Sequence, residues 1–212
     1  MEYRVFTSIT ESIFATKWKN DSRADHRTDI YYLLSRANNS DDSLPFNNGL
    51  KLRNQKYVEL KTCSARFPNG QEQWTKTVRS FEKIHVRDMK SVEKVLTNAH
   101  QDALVERLQA CEPVVLCYVH KYTRGKQCVG SARVELTGLS LKFVSHADER
   151  RLGHKLFFET VCIEQLDPNF DGLDIVRTHL PNLVESSLHT MGYPQFITQQ
   201  WADLKSVLPA LN

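Results

Sequence analysis

Apolar and polar residues alternate with a period of two along several short segments of the chain, and this period is typical of β-strands. The clearest case is residues 49–61, GLKLRNQKYVELK, which place aliphatic side chains on one side and charged side chains on the other. The charged members are Lys51, Arg53, Glu59 and Lys61. We therefore predict a β-hairpin that turns within RNQK and has one apolar face and one charged face.

Other segments predict further strands, from the same alternation or from β-branched and aromatic residues. They are MEYRVF, TDIYYLL, EQWTKTVRSF, PVVLCYVHKYT, CVGSARVELTGLSLKFV and HKLFFETVCIEQLD. Turn-forming residues separate several of them: SRANNSDDSLPFNNG is predicted to be a polar loop, Pro-Asn-Gly a turn, and RGKQ another turn. Short connections of this kind favour antiparallel pairing.

Residues 88–110 follow a different period, because apolar residues recur there at steps of three and four and Asp88 stands at a helix N-cap position. One or two helices are predicted. DIVRTHLPNLVESSLHTMG predicts a helix that ends at Gly192, and QQWADLKSVLPALN a short terminal helix. Strands on both sides of a central helical segment predict a single α+β domain over residues 1–212, a tunnel-like antiparallel β-barrel with helices packed outside.

Composition and net charge exclude fewer classes of function than the alternation of apolar and charged residues does. The chain has 212 residues, 41% of them hydrophobic and 25% charged, so it can bury a core of its own. A net charge of +3 is too small to indicate a nucleic-acid binder, so an anion site depends on local clustering. The sequence has no apolar signal region, membrane-length apolar run, CxxC, HExxH, GxSxG or Walker A motif. We expect a cytoplasmic protein without membrane contact.

The charged strand faces have two interpretations. In an open antiparallel sheet they are the side that faces solvent. In a closed barrel with helices outside they converge on the lumen, where crowded cations need an anion or carboxylates for compensation. A polyphosphate would supply that charge, since Arg and Lys both bind phosphate oxygens. Neighbouring glutamates would hold Mg²⁺ or Mn²⁺, which prefer oxygen ligands.

The order of the segments resembles the CYTH-type triphosphate tunnel family, which includes thiamine triphosphatases, class IV adenylate cyclases and inorganic triphosphatases. Members of that family have an opening Glu-x-Glu-x-Lys strand, a YFDT-like strand, an LRIR-like strand and a strand that ends in Lys. A glutamate-bearing strand, helices, a basic strand and a late EIE-like strand follow. MEYRVF, DIYYLL, LKLR, VELK, QEQWTK, YVHKYTR, ARVEL and VCIE fall in that order here, and the resemblance covers nearly the whole chain.

The resemblance and the charge pattern together imply a basic phosphate-binding set and an acidic metal-binding set. The phosphate-binding residues are Lys51, Arg53, Lys61 and Arg124, with Arg4, Lys76, Lys121 and Arg133 as second choices. The ligands of Mg²⁺ or Mn²⁺ are Glu2, Glu59, Glu135 and Glu164. We expect Glu2, Glu135 and Glu164 to be catalytic, because the metal that they hold would orient the attacking water.

Several glutamates of the family pattern are replaced by other residues in this sequence. Arg4 stands where the second opening glutamate is expected, and Phe6 replaces the lysine. Cys162 replaces the first late glutamate, while Trp74 and Lys76 occupy positions where glutamates are usual. Phosphate binding is therefore better supported by the sequence than catalysis.

The expected function is binding, and with a divalent metal hydrolysis, of a triphosphate-containing small molecule such as a nucleotide, thiamine triphosphate or inorganic tripolyphosphate. One alternative is a non-catalytic module that binds a phosphorylated ligand or an RNA 5′ end in the same basic lumen. Another is a protein–protein scaffold that uses an exposed mixed face. Phosphate release separates the first two, and an anion-dependent rise in melting temperature separates both from the scaffold.

Overall fold

The computed structural model of the protein describes residues 2–34, 48–68, 70–111, 114–130, 132–164 and 189–207. The strands in this part are β1 (Glu2–Ser8), β2 (Asp25–Leu33), β3 (Asn48–Arg53), β4 (Tyr57–Arg66), β5 (Glu72–Arg79), β6 (Val115–Val129), β7 (Ala132–Ser145), β8 (Arg151–Glu164) and β9 (His189–Thr190). The helices are α1 (Glu11–Phe14), which continues as a π-helical turn (Ala15–Lys19), α2 (Met89–Asn98), α3 (Asp102–Ala110) and α4 (Tyr193–Val207). None of these helices is long and apolar enough to span a membrane.

Eight of the strands form a closed antiparallel barrel. The neighbours run in the order β5, β4, β3, β2, β6, β7, β8, β1, and β1 closes the ring by pairing with β5 at Glu2 and Glu72. Further along, the same edge of β1 pairs with β9 at Val5 and Phe6. The predicted α+β barrel with helices packed outside is therefore confirmed.

The outer face of the β3–β4 hairpin packs against α2 and α3. Its aliphatic side chains, Leu50, Leu52, Val58 and Leu60, are buried in one cluster with Val92, Leu96, Leu104 and Leu108 of the helices. The side chain of Asp88 accepts a hydrogen bond from the Ser91 amide, so the predicted N-cap of α2 is confirmed. Because this face is apolar, the charged face of the hairpin points into the barrel.

A hydrophobic core fills one half of the lumen, and α4 packs against it. Phe196 of α4 stacks on inward-facing Phe6 at 3.8 Å between ring centroids and meets the edge of Phe158 at 4.9 Å. Trp201 packs against Phe143 of β7. An eight-stranded barrel is just wide enough for side chains to fill it, so apolar residues at one end leave room for a ligand only in the other half.

Two predicted boundaries were wrong. RGKQ, residues 124–127, is not a turn but part of β6, and the register with β7 shifts between Arg124 and Gln127. The helix predicted to end at Gly192 lies mostly outside the described residues, but His189–Thr190 is the strand β9. This short strand pairs with backbone of β1 beyond the point where β5 closes the barrel.

Candidate functional site

The half of the lumen that the core does not fill is a charged cavity of about 130 Å³. Side chains from seven of the eight barrel strands bring their charges to its wall. The cations are Arg4, Arg27, Lys51, Arg53, Lys61 and Lys121, and the carboxylates are Glu2, Glu135 and Glu164. Tyr31, Trp74, Tyr193, Pro194 and Gly49 complete the lining. Cations outnumber carboxylates on this wall, so the lining has a positive net charge.

Most of the residues predicted for the site therefore lie together. The structure places on the cavity wall Glu2, Arg4, Lys51, Arg53, Lys61, Lys121, Glu135 and Glu164. It does not place there Glu59, Lys76, Arg124 or Arg133. The difference follows from strand parity and from burial.

Glu59 faces inward but lies beneath the lining. Its side chain is fully buried, with carboxylate oxygens 3.3 Å from Nζ of Lys51, 3.7 Å from Nη1 of Arg53 and 3.4 Å from Nζ of Lys76. Burial by itself would raise the pKa of Glu59, but the three cations outweigh burial and hold this pKa below its usual range. Glu59 and Lys76 thus contribute to the charge balance of the wall rather than to its surface.

Arg124 faces away from the lumen. Side chains alternate along β6, so Lys121 points inward and Arg124, three residues later, points outward. Its guanidinium donates to Asp21 at 2.7 Å and lies over the Trp18 ring. Arg133 is more than half exposed at the barrel rim, and its Nη1 lies 3.8 Å from Glu164.

Three residues of β2 belong to the site but are not among the predicted ones. Arg27 and Tyr31 line the cavity, and Asp29 lies fully buried behind them. Arg27 precedes the predicted strand, which begins at Thr28, whereas Asp29 and Tyr31 lie within that strand as single polar residues among apolar ones. The alternation of Arg27, Asp29 and Tyr31 is visible only in a strand that begins earlier. Tyr193 lines the cavity from α4, and no strand pattern could have indicated it.

Asp29 is the centre of an ionic network. Its Oδ2 lies 3.1 Å from Nζ of Lys51 on β3 and 3.4 Å from Nζ of Lys121 on β6. Its Oδ1 lies 3.3 Å from Nε of Arg27 and accepts a hydrogen bond from the Asn54 amide at 3.2 Å. Burial by itself would raise the pKa of Asp29, but Lys121, Lys51 and Arg27 outweigh burial and hold this pKa far below its usual range.

Two cavity cations are only partly compensated. Burial lowers the pKa of Lys121 well below its usual value, although Asp29 opposes this effect. The Lys121 ammonium also lies 3.6 Å from the centre of the Tyr193 ring, a cation–π contact. Burial likewise lowers the pKa of Lys61, which makes no ion pair with any other described residue. An anion in the cavity would stabilise the charged form of both lysines.

Arg4 and Tyr193 bring unpaired polar atoms to the same cavity. Within the part of the chain that the structure describes, Nη1 of Arg4 and Oη of Tyr193 are buried without a hydrogen-bond partner. Arg4 lies over the Tyr193 ring at 4.2 Å. Burial raises the pKa of Tyr193 well above its usual value, so its hydroxyl keeps the proton it can donate. Buried donors of this kind need a partner, and an oxyanion would supply one.

Close approach of α4 to the barrel wall depends on a glycine. A Cβ atom at Gly49 of β3 would lie 2.6 Å from Cγ of Pro194, the second residue of α4. The missing side chain lets the first turn of α4 touch the wall, which brings Tyr193 into contact with Arg4 and Lys121. The helix therefore forms one side of the cavity.

Stability is expected to depend on the buried carboxylates under acid conditions. Carboxylates with a lowered folded-state pKa stabilise the fold when ionised, and this stabilisation is lost as the pH falls below about 5. Asp29→Asn removes such a group, so its free energy of unfolding should vary less steeply with pH in this range than that of the wild type. Urea unfolding at a series of pH values measures the slope. The matched control is Asp25→Asn, at an exposed position on the same strand; parallel curves for Asp29→Asn and wild type would contradict the expectation.

The carboxylates do not form a metal site by themselves. No group of three or more His, Cys, Asp or Glu in the described ranges is placed to hold a metal ion. Glu2 accepts a hydrogen bond from Nε of Arg4 at 2.9 Å, and Glu164 lies beside Arg133. These residues, as placed, do not fit a resident Mg²⁺ or Mn²⁺. Such ions are often held by one or two carboxylates together with phosphate oxygens of a bound substrate.

Comparison with known proteins does not assign the chain. No protein-family model matches the sequence, and no curated protein sequence matches it. The antiparallel barrel is a property of the structure, whereas membership of the triphosphate tunnel family stays a prediction from the order of the motifs.

Proposed function

We propose that this protein binds a triphosphate-containing compound in the charged cavity. The observation that carries the proposal is the convergence of six cationic side chains on one small cavity. Buried donors of Arg4 and Tyr193 that have no partner among the described residues face the same cavity. Cations held close together are destabilising unless anions compensate them. The three carboxylates of the lining, together with Asp29 and Glu59 buried behind it, offset most of this charge but leave an excess of cations. An anionic ligand would offset the rest and would partner the buried donors.

The size of the cavity favours the phosphate chain over the rest of the ligand. Sites that enclose whole drug-sized ligands have volumes of about 300–1,000 Å³. A cavity of about 130 Å³ is smaller than these. Phosphate groups would therefore enter the lumen, and the organic part of a nucleotide or of thiamine triphosphate would stay outside. Inorganic tripolyphosphate, which has no organic part, is the simplest probe of the cavity.

Hydrolysis is the second part of the proposal. It would need a divalent metal, and the carboxylates available to it in the cavity are Glu2, Glu135 and Glu164. Because they do not form a metal site alone, Mg²⁺ or Mn²⁺ would have to arrive with the triphosphate and share its oxygens. The chain itself would bind and orient the phosphate groups. The absence of a ready carboxylate cluster among the described residues favours the second candidate, a binding module without turnover.

Two measurements on the wild-type protein test the proposal. Tripolyphosphate at one hundred times its dissociation constant should stabilise the fold by about 2.7 kcal/mol, seen as a rise in melting temperature. Sodium chloride at the same ionic strength serves as the control for screening. Release of phosphate from tripolyphosphate, ATP, thiamine triphosphate and 5′-triphosphate RNA, with and without Mn²⁺, then separates the enzyme from the module.

The outcomes are distinct. Stabilisation with phosphate release that is lost in Glu164→Gln supports a hydrolase. Stabilisation without release supports the binding module. The same melting temperature with tripolyphosphate and with sodium chloride would contradict both and leave the scaffold interpretation.

A further inference from the structure

The carboxylate of Asp29 lies where repulsion of a bound anion would be expected to exclude it. It is an anion, yet it lies fully buried in the wall of a cavity that we propose to bind anions. Its strand, β2, lies between β3 and β6, and the carboxylate touches the ammonium groups of Lys51 and Lys121 on these two neighbours. The Asn54 amide and Arg27 hold its other oxygen.

We propose that Asp29 is a positioning residue of the anion site, which holds the ammonium groups of Lys51 and Lys121 at the cavity wall and stabilises the positive charge of Lys121. This inference rests on the proposed function. Asp29 is too deeply buried to touch a ligand itself, so it acts through the two lysines. The consequence is contrary to simple repulsion: removal of this negative charge weakens anion binding at alkaline pH instead of strengthening it.

Two opposing effects decide that sign. Coulomb repulsion between the Asp29 carboxylate and a bound phosphate weakens binding, so its removal would strengthen binding if nothing else changed. The carboxylate also favours the ammonium form of Lys121, and a neutral lysine binds phosphate far more weakly than a charged one. Since Lys121 lies between Asp29 and the cavity, the loss of its charge is the larger effect at a pH where it can lose that charge.

Lys121 is the lysine that can lose its charge. It is buried among Arg27, Tyr31, Lys51, Arg4 and Tyr193, and it also interacts with the carboxylate of Glu2. Burial lowers its pKa, Asp29 opposes this as the nearest carboxylate, and the neighbouring cations lower the pKa further. Without Asp29 the pKa of Lys121 falls further, and an anion that binds must then bring a proton to Lys121. Binding therefore weakens as the pH rises.

Calorimetric titration of tripolyphosphate into wild type and Asp29→Asn across a pH series tests the inference. At alkaline pH the variant should bind about tenfold more weakly, the loss expected when one charge-assisted contact to phosphate becomes neutral. The difference should shrink or reverse as the pH falls, because protonation of Lys121 in both proteins leaves only the repulsion to differ. The ligand's own protonation is the same for both proteins. Asp25→Asn, an exposed change on the same strand, should match the wild type.

A second variant, at a less buried residue, should shift the pH dependence of binding in the opposite direction. Arg27 is one of the cations that lower the pKa of Lys121, and its side chain is one-third exposed. In Arg27→Gln the weakening of binding with pH should begin at a higher pH than in the wild type, although affinity falls overall because one cavity cation is gone. The paired directions keep the inference testable even where Asp29→Asn does not fold.

The outcomes separate the inference from the proposed function. Wild-type protein that binds tripolyphosphate, with Asp29→Asn equal to it or tighter at all pH values, overturns the role of Asp29 alone. A pH profile of Arg27→Gln that does not move, or moves to lower pH, overturns it as well. Wild-type protein that does not bind tripolyphosphate overturns the proposed function and this inference with it.

Discussion

Phe196→Ala is expected to lower the free energy of unfolding by about 3–5 kcal/mol, the usual cost of truncating a buried phenylalanine. The ring is fully buried, stacks on Phe6 and meets the edge of Phe158, so its loss leaves a void between α4 and the inward face of the barrel. No small shift of the helix fills this void, because Pro194 already touches the wall at Gly49. Chemical unfolding measures the loss.

The control for this variant lies on the same helix. Val207 is 72% exposed, so Val207→Ala should change stability by less than about 0.5 kcal/mol. A loss in Phe196→Ala as small as that in Val207→Ala would contradict the packing of α4 against the core of the lumen. It would also remove the support that brings Tyr193 to the cavity.

Lys51→Met is expected to cost about 3–5 kcal/mol for a different reason. The Lys51 ammonium is shared by two fully buried carboxylates, Asp29 and Glu59, at 3.1 and 3.3 Å. Asp29 keeps Lys121 and Arg27, and Glu59 keeps Arg53 and Lys76, but each buried carboxylate loses one of its cations. Loss of a partner from a buried ion pair costs far more than the pair contributes, because the remaining charge is less well compensated. Methionine has a similar length, so the effect reports charge more than volume.

The control and the pH dependence identify the cause. Lys56 is exposed in the turn between β3 and β4, and Lys56→Met should be close to neutral. The penalty of Lys51→Met should shrink below about pH 5, because protonation of Asp29 and Glu59 removes the buried negative charges. A penalty that stays constant down to pH 3 would point to packing and against the ionic network.

The β3–β4 hairpin shows how much of the fold and site the sequence could predict. Its alternation is complete over eight positions, so both the apolar outer face and the charged inner face were predicted, and the structure has both. The period of two defines the face of each residue within a strand. The period does not define how far an inward-facing side chain lies below the cavity surface. For this reason the sequence predicts Glu59 as a metal ligand, although Glu59 lies beneath the cavity wall.

The remaining differences have the same physical origin. The sequence predicts a turn at RGKQ, and a turn breaks the alternation that places Arg124 on the outer face of β6. Asp29 is defined by contacts with β3 and β6, which are far apart in sequence. Tyr193 reaches the lumen because α4 packs back onto the barrel. Tertiary pairing decides such contacts, and no local pattern encodes them.

Equilibrium binding of tripolyphosphate to wild-type protein and to Lys61→Met tests the central claim most directly. Lys61 lines the cavity and makes no ion pair with any described residue, so its replacement removes a cavity charge without breaking a native pair. A charge-assisted hydrogen bond contributes about 1.5–3 kcal/mol, so we expect affinity to fall about tenfold to a hundredfold while Lys56→Met binds like the wild type. Equal affinities for wild type, Lys61→Met and Lys56→Met, or no binding by any of them, would contradict the claim that the cations of the lumen form a triphosphate site.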